Sequence, residues 1–166
     1  MSLWVGCDHG GYLLKKIICG KLTELNIEFN DIGGYSEEIV RYPYYASIVA
    51  KAISEGKAKR GILICSTGIG MSIMANRYPR VRASLCLTPY MARMTREHND
   101  SNLLCMGGKI TETSVALEIL DEWLNTSFIK GRHEISLALI REAEEYLING
   151  QSWEPELPAP AIHETL

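Results

Sequence analysis

Gly61 to Gly70 read G-I-L-I-C-S-T-G-I-G, an apolar, strand-like run that ends in Cys65 and passes through a glycine-bearing turn into a helix expected to open at Met71. Such a turn sets an ionisable thiol beside convergent backbone N–H groups at a helix N-terminus, where negative charge is favoured. An ordinary thiol is mostly protonated at neutral pH, so a reactive Cys65 requires the turn to favour its thiolate. Glycine turns between strands and helices are common, and taken alone this one reads first as a structural connection.

Outward from this segment, strand and helix signals alternate. Leu3 to Cys7 is a short apolar strand; Leu13, Leu14, Ile17, Ile18, Leu22 and Leu25 recur at helical spacing, and a second strand follows near Ile27 to Asp31. Ala46, Ile48, Val49, Ala52 and Ile53 mark the helix before Gly61 to Cys65. Arg82 to Leu87 and Leu103 to Met106 supply two more strands, separated by a helix with Pro89 in its first turn. Short connections between alternating elements imply an α/β fold in which helices cover both faces of a five-stranded parallel sheet. Ligands of such sheets bind beyond the carboxyl ends of the strands, where Asp8-His9, Cys65 to Gly70, Thr88 and the segment after Met106 all fall. Val115 to Leu124 and Ile135 to Ile148 read as two further helices. The second has no strand after it, which makes it a candidate for packing on a second subunit. The proline-bearing tail after Gly150 has no periodicity and carries no chemistry.

The chain has 166 residues, 46% hydrophobic and 22% charged, enough for one domain with a full core. A net charge of -3 without a basic block gives no electrostatic reason for nucleic acid or an anionic membrane as partner, although a small anion needs only a few local cations. No secretory-signal pattern and no membrane-length apolar run are present, so a cytoplasmic protein is expected. The five cysteines form no C-x-x-C pair or metal-ligand spacing, which argues for reduced thiols. Cys7, Cys86 and Cys105 sit in apolar runs and read as small core residues. Cys65 differs by standing at a strand end.

Cys7-Asp8-His9-Gly10-Gly11, the turn Cys65-Ser66-Thr67-Gly68-Ile69-Gly70, and Arg96-Glu97-His98-Asn99-Asp100 resemble, in order and spacing, the ribose-5-phosphate isomerase B and galactose-6-phosphate isomerase family. The resemblance covers residues 3 to 148. It implies a single Rossmann-like, three-layer αβα domain over residues 1–150 with a tail over 151–166. It also implies a homodimer or dimer of dimers, with active sites between subunits, that interconverts aldose and ketose phosphates of the pentose phosphate pathway through a cis-enediolate. No metal or organic cofactor is implied. By the same resemblance Cys65 is the base, Thr67 helps relay a proton and His98 assists ring opening. The N–H groups of Ser66, Gly68, Ile69 and Gly70 would stabilise the enediolate oxygen. Asp8, His9, Tyr42 and Asn99 would hold the sugar, with Lys109 and Arg132 at its phosphate. Each has a structural alternative: Asp8 as an Asx turn, Tyr42 as a buried tyrosine, His98 and Asn99 as helix-end residues.

The phosphate end departs from the family pattern. Arg132 matches the first of two arginines four residues apart, but Ser136 occupies the second position. Lys109 stands where an arginine is common, and keeps charge but loses the planar fork. Arg41 precedes Tyr42-Pro43 where an acidic or neutral residue is usual; it either replaces the missing charge or pairs at the surface with Glu37 or Glu38. Ser66 stands where glycine is commoner. These departures bear on the sugar more than on the reaction. Ribose 5-phosphate is the first expectation; galactose 6-phosphate, allose 6-phosphate, a tetrose 4-phosphate or a non-catalytic ligand-binding subunit are the alternatives. A retained His98 favours sugars that close into rings. A cysteine hydrolase would instead need covalent attack by Cys65.

Overall fold

A computed structural model describes residues 2–155. It contains strands β1 (Leu3–Cys7), β2 (Phe29–Asp31), β3 (Arg60–Cys65), β4 (Ala83–Leu85) and β5 (Leu103–Gly107). Between and after them run helices α1 (Tyr12–Glu24), α2 (Tyr42–Ser54), α3 (Ile69–Ala75), α4 (Pro89–Asn99), α5 (Thr113–Asn125) and α6 (Arg132–Ile148). All pairings are parallel and the sheet order is β2-β1-β3-β5-β4.

The apolar runs of β1, β3 and β5 are continuous because both faces of these strands are covered. Alternate side chains feed two cores. Val5, Cys7, Ile62, Ile64, Leu104 and Met106 pack with Leu14, Ile18, Ile119 and Trp123 of α1 and α5. Leu63, Cys65, Leu103 and Cys105 face the other way, onto Ala46, Val49, Ala50 and Met71 of α2 and α3. Three layers result, and Cys65 ends its strand on the α2–α3 side.

Several element limits differ from the sequence expectation for local reasons. β2 starts at Phe29 because Asn26 takes φ 55 and the Ile27 N–H still bonds the Leu22 carbonyl, so this stretch closes α1. β4 is confined to Ala83–Leu85: the Arg82 N–H goes to the Asn102 side chain, and Thr88 caps α4 through the Met91 N–H. α3 opens at Ile69, two residues before Met71, because Gly68 at φ 78 already turns the chain into the helix. That left-handed conformation, with Leu85 and Met106 beside it, suits glycine alone.

On α1, one lysine is a core residue. Lys15 is 2% exposed and its Nζ lies 2.5 and 2.7 Å from the Asp31 carboxylate oxygens, with the Gly33 carbonyl at 3.2 Å. The pair ties α1 to the end of β2. Of the tail, residues 151–155 lie outside any helix, and Trp153 Nε1 donates to Glu142; the remainder lies outside the described residues.

Replacing Lys15 by methionine removes the partner of the half-buried Asp31 carboxylate. Asp31 is 32% exposed and stays partly solvated, so urea unfolding is expected to show a loss of about 1 kcal/mol, below the usual cost of breaking a fully buried pair from one side. An unchanged midpoint would show that Asp31 is satisfied without it.

Candidate active site

The sheet order reverses direction of growth between β1 and β3, and a ligand crevice is expected outside their carboxyl ends. Three backbone segments meet there. The Asp8 N–H bonds the Ile64 carbonyl, the Gly108 N–H bonds the Cys65 carbonyl at 2.7 Å, and the Lys109 N–H bonds the Ser66 carbonyl at 3.0 Å. A Cβ on Gly10 would fall 2.9 Å from Ser66 N, and one on Gly108 would fall 2.6 Å from the Gly10 carbonyl oxygen. The loops after β1, β3 and β5 therefore touch through backbone.

Within this crevice Cys65 is buried, and its Sγ accepts from the Gly68 N–H at 3.0 Å. The Ile69 N–H reaches Thr67 Oγ1 at 3.4 Å. The N–H groups of Ser66, Thr67 and Gly70 find no acceptor among the described residues. The turn thus gives one donor to sulfur and keeps others for a ligand. Burial pushes the Cys7 and Cys86 thiols up to about 12, Cys19 to about 11 and Cys105 well above the ordinary range. These four cysteines remain protonated thiols at neutral pH.

Asp8 is 5% exposed and spends one carboxylate oxygen on the Gly10 and Gly11 N–H groups, the Asx-type arrangement. His9 Nδ1 lies 3.1 Å from the Val40 carbonyl oxygen and 3.3 Å from its nitrogen. Either tautomer is held by the same residue. The Tyr42 ring lies on Gly70, where an added Cβ would come within 2.8 Å of Cζ. Lys109 and Arg41 are exposed and form no ion pair among the described residues, so Arg41 is not taken up by Glu37 or Glu38.

His98, Asn99 and Arg132 are not in this crevice. α4 returns antiparallel to β4 and ends just before β5, whereas Cys65 is paired with Gly107 at the far end of that strand. Four strand steps separate Leu103 from Gly107, roughly 13 Å. At that opposite edge Arg96 is 6% exposed and donates to Asp100 Oδ1 at 2.8 Å and the Ser101 carbonyl at 2.6 Å. Arg82 Nε bonds the Asn99 carbonyl at 2.9 Å. Arg96 and Asp100 of the R-E-H-N-D string are thus the frame, and His98-Asn99 the residues it presents. His98 stacks on His133 with ring centroids 4.2 Å apart and planes 6° from parallel. The sequence reading missed His133, although it is adjacent to Arg132; nothing in its spacing points to a partner thirty-five residues earlier.

Among the described residues no group of three or more His, Cys, Asp or Glu is placed to hold a metal ion, and no helix is long and apolar enough to cross a membrane. A groove of about 570 Å³ lies away from the crevice, between the α3–β4 connection and α6, lined by Tyr78, Val81, Leu139, Leu147 and Ile148.

A cysteine turn at the switch point of a doubly wound parallel sheet defines an α/β protein with a candidate site at its strand ends. The chain matches the Ribose/Galactose Isomerase family over residues 3–140. It is 42% identical to ribose-5-phosphate isomerase B of Escherichia coli over 140 residues, 84% of this chain and 94% of that one. A solved structure of ribose-5-phosphate isomerase B from Clostridium thermocellum superposes with a TM-score of 0.85 at 44% identity, covering 87% and 98% of the two chains. The Mycoplasma genitalium enzyme, solved with bound ribulose-5-phosphate, gives a TM-score of 0.83 at 32% identity over 87% and 96%. The chain belongs to the Ribose/Galactose Isomerase family.

The histidine stack has a testable consequence. Desolvation, then the neighbouring His98 and Arg132, lower the affinity of His133 for a proton. The folded chain protonates it less readily than the unfolded chain, so its stabilisation is complete above the ordinary imidazole range and is lost as pH falls through it. Proton NMR should place the His133 midpoint below about 6.5, and His98→Ala should raise it. A midpoint indifferent to His98 would contradict the stack.

Proposed function

We propose that this chain, through an isomerase domain spanning residues 1–150, interconverts ribose 5-phosphate and ribulose 5-phosphate by a cis-enediolate mechanism without metal or organic cofactor. The observation that carries this reading is the Cys65 turn: sulfur held by one N–H, with the N–H groups of Ser66, Thr67 and Gly70 unspent beside it. The Mycoplasma genitalium relative with bound ribulose-5-phosphate supports the substrate.

In the forward direction His98 opens the sugar ring by moving the proton between ring oxygen and C1 hydroxyl. Cys65 as thiolate removes the C2 proton, the electron pair forms the C1–C2 double bond, and the charge passes to O1. Donors on the Ser66–Gly70 turn, those of Gly68 and Ile69 among them once rearranged, stabilise that oxygen where charge develops. The Cys65 thiol then returns a proton to C1. Thr67 relays the proton from O2 to O1, leaving the ketone at C2. Asp8, His9, Tyr42 and Asn99 hold hydroxyls, and Lys109 and Arg132 meet the phosphate.

This assignment requires a second subunit. His98, Asn99 and Arg132 lie at the opposite sheet edge from Cys65 of their own chain, so they serve the Cys65 of a partner. Two copies related by a two-fold axis would each lend one edge to the other. The exposed apolar side chains of α6, including Ile135, Leu139, Ile140 and Leu147, support such packing. The same reading sets the chain in the cytoplasm, in the pentose phosphate pathway.

Cys65→Ala should lower kcat by about 10² to 10⁴ with the circular dichroism unchanged. Turnover in D₂O should leave deuterium on the carbon beside the carbonyl, and retained wild-type turnover would remove Cys65 from the mechanism. Cys65→Ala and His98→Ala chains, each inactive alone, should regain activity when co-refolded, because hybrid dimers contain one intact site. No recovery would mean that each chain works by itself.

A further inference from the structure

The connection from β2 to α2 is tied down at both ends. At its start the Lys15–Asp31 pair is backed by the Tyr35 ring, 4.7 Å beneath the lysine nitrogen, and Tyr35 Oη donates to the Asp31 carbonyl. At its close Val40 is clamped to His9, and Tyr42 lies on Gly70 of the cysteine turn. Arg41 is the one residue between those two contacts. Its backbone is extended, φ -94 and ψ 120, and caps α2 without using the side chain. The guanidinium is exposed, with no hydrogen bond or ion pair among the described residues. Its root is fixed by neighbours that both touch the crevice, so little ordering of backbone is needed to use it.

The charge balance of the crevice calls for such a group. A phosphate monoester carries about -1.5 to -2 at neutral pH. Of the chain's own strand-end residues, Lys109 offers one positive charge and the buried Asp8 one negative. In the assembly proposed above Arg132 reaches the phosphate from a second copy and adds one positive charge, but Ser136, one turn along α6 from it, is uncharged. A lysine gives a point charge, whereas a guanidinium matches two phosphate oxygens at once.

We infer that Arg41 is a phosphate-contacting, specificity-determining residue, its guanidinium holding the sugar phosphate beside His9 and supplying the charge that Ser136 does not. The inference rests on the isomerase reading above for the identity of the ligand. Holding phosphate from the α2 side fixes the span between that anchor and Cys65, and with it the length of sugar that places C2 at the sulfur.

The test is calorimetric titration of inorganic phosphate into the wild type, Arg41→Ala and Arg41→Lys, beside steady-state kinetics on ribose 5-phosphate and a six-carbon aldose phosphate. Arg41→Ala should weaken inorganic phosphate about 10-fold and raise KM for the preferred sugar phosphate in parallel, as expected for loss of a charge-assisted contact. Arg41→Lys should recover part of both. The ratio of kcat/KM between the two sugar lengths should shift in Arg41→Ala. Unchanged phosphate affinity and KM in Arg41→Ala would overturn the inference. A wild type that isomerises no aldose phosphate would overturn the isomerase reading instead, and the phosphate titration would still decide Arg41.

Discussion

The arrangement depends on backbone meeting backbone at the carboxyl edge of the sheet. Parallel pairing of β3 with both β1 and β5 brings three chain reversals to one place, and each carries polar backbone that must find partners once buried. The bonds from Asp8, Gly108 and Lys109 into Ile64, Cys65 and Ser66 meet that need. They are reachable only because Gly10 and Gly108 lack side chains, since a Cβ at either would enter the neighbouring main chain. The same closeness leaves no slack in the Cys65 turn, so the Gly68 N–H is aimed at sulfur before any ligand arrives. That donor is set for the sulfur, while the N–H groups of Ser66, Thr67 and Gly70 find no acceptor among the described residues.

The opposite edge is built on side-chain charge instead. Arg96 reaches Asp100, Ser101 and, at 3.4 Å, the Thr126 carbonyl, which fastens the end of α4 to the segment after α5. Arg82 holds the Asn99 and Asp100 carbonyls, and Trp123 Nε1 donates to the fully buried Ser101 hydroxyl at 2.9 Å. Arginines crowd a single carboxylate here, and burial works against the charge of Arg82 and Arg60. A network of this cost holds one short piece of chain, His98-Asn99, in a left-handed exit at Asp100, φ 44. Under the function proposed above, these two edges of one chain would be shared between copies across a two-fold axis.

Much of this was legible from residue order. The five strands, their parallel sense and the position of the Cys65 turn followed from period and connection length, because apolar spacing reports which faces are covered. Cys7, Cys86 and Cys105 were readable as core for the same reason, and they are buried. Boundaries were less so: β2 and β4 proved shorter than their apolar runs, since the Leu22 carbonyl takes the Ile27 N–H, the Asn102 side chain takes the Arg82 N–H, and Thr88 already caps α4. Lys15 was invisible as a core residue, because a lysine at helical spacing looks solvated until its carboxylate is found sixteen residues away.

From sequence alone came the alternating α/β order, the strand-end cysteine with its glycine turn, and the motifs that mark the family. These are local properties, written in spacings of a few residues, and local sterics and burial are enough to express them. Tertiary structure alone decided that His98, Asn99 and Arg132 stand across the sheet from Cys65, that His133 stacks on His98, and that Arg41, between His9 and Gly70, has no carboxylate partner among the described residues. Each depends on which distant segments meet, and side-chain partnership over such separations is settled by packing the whole chain.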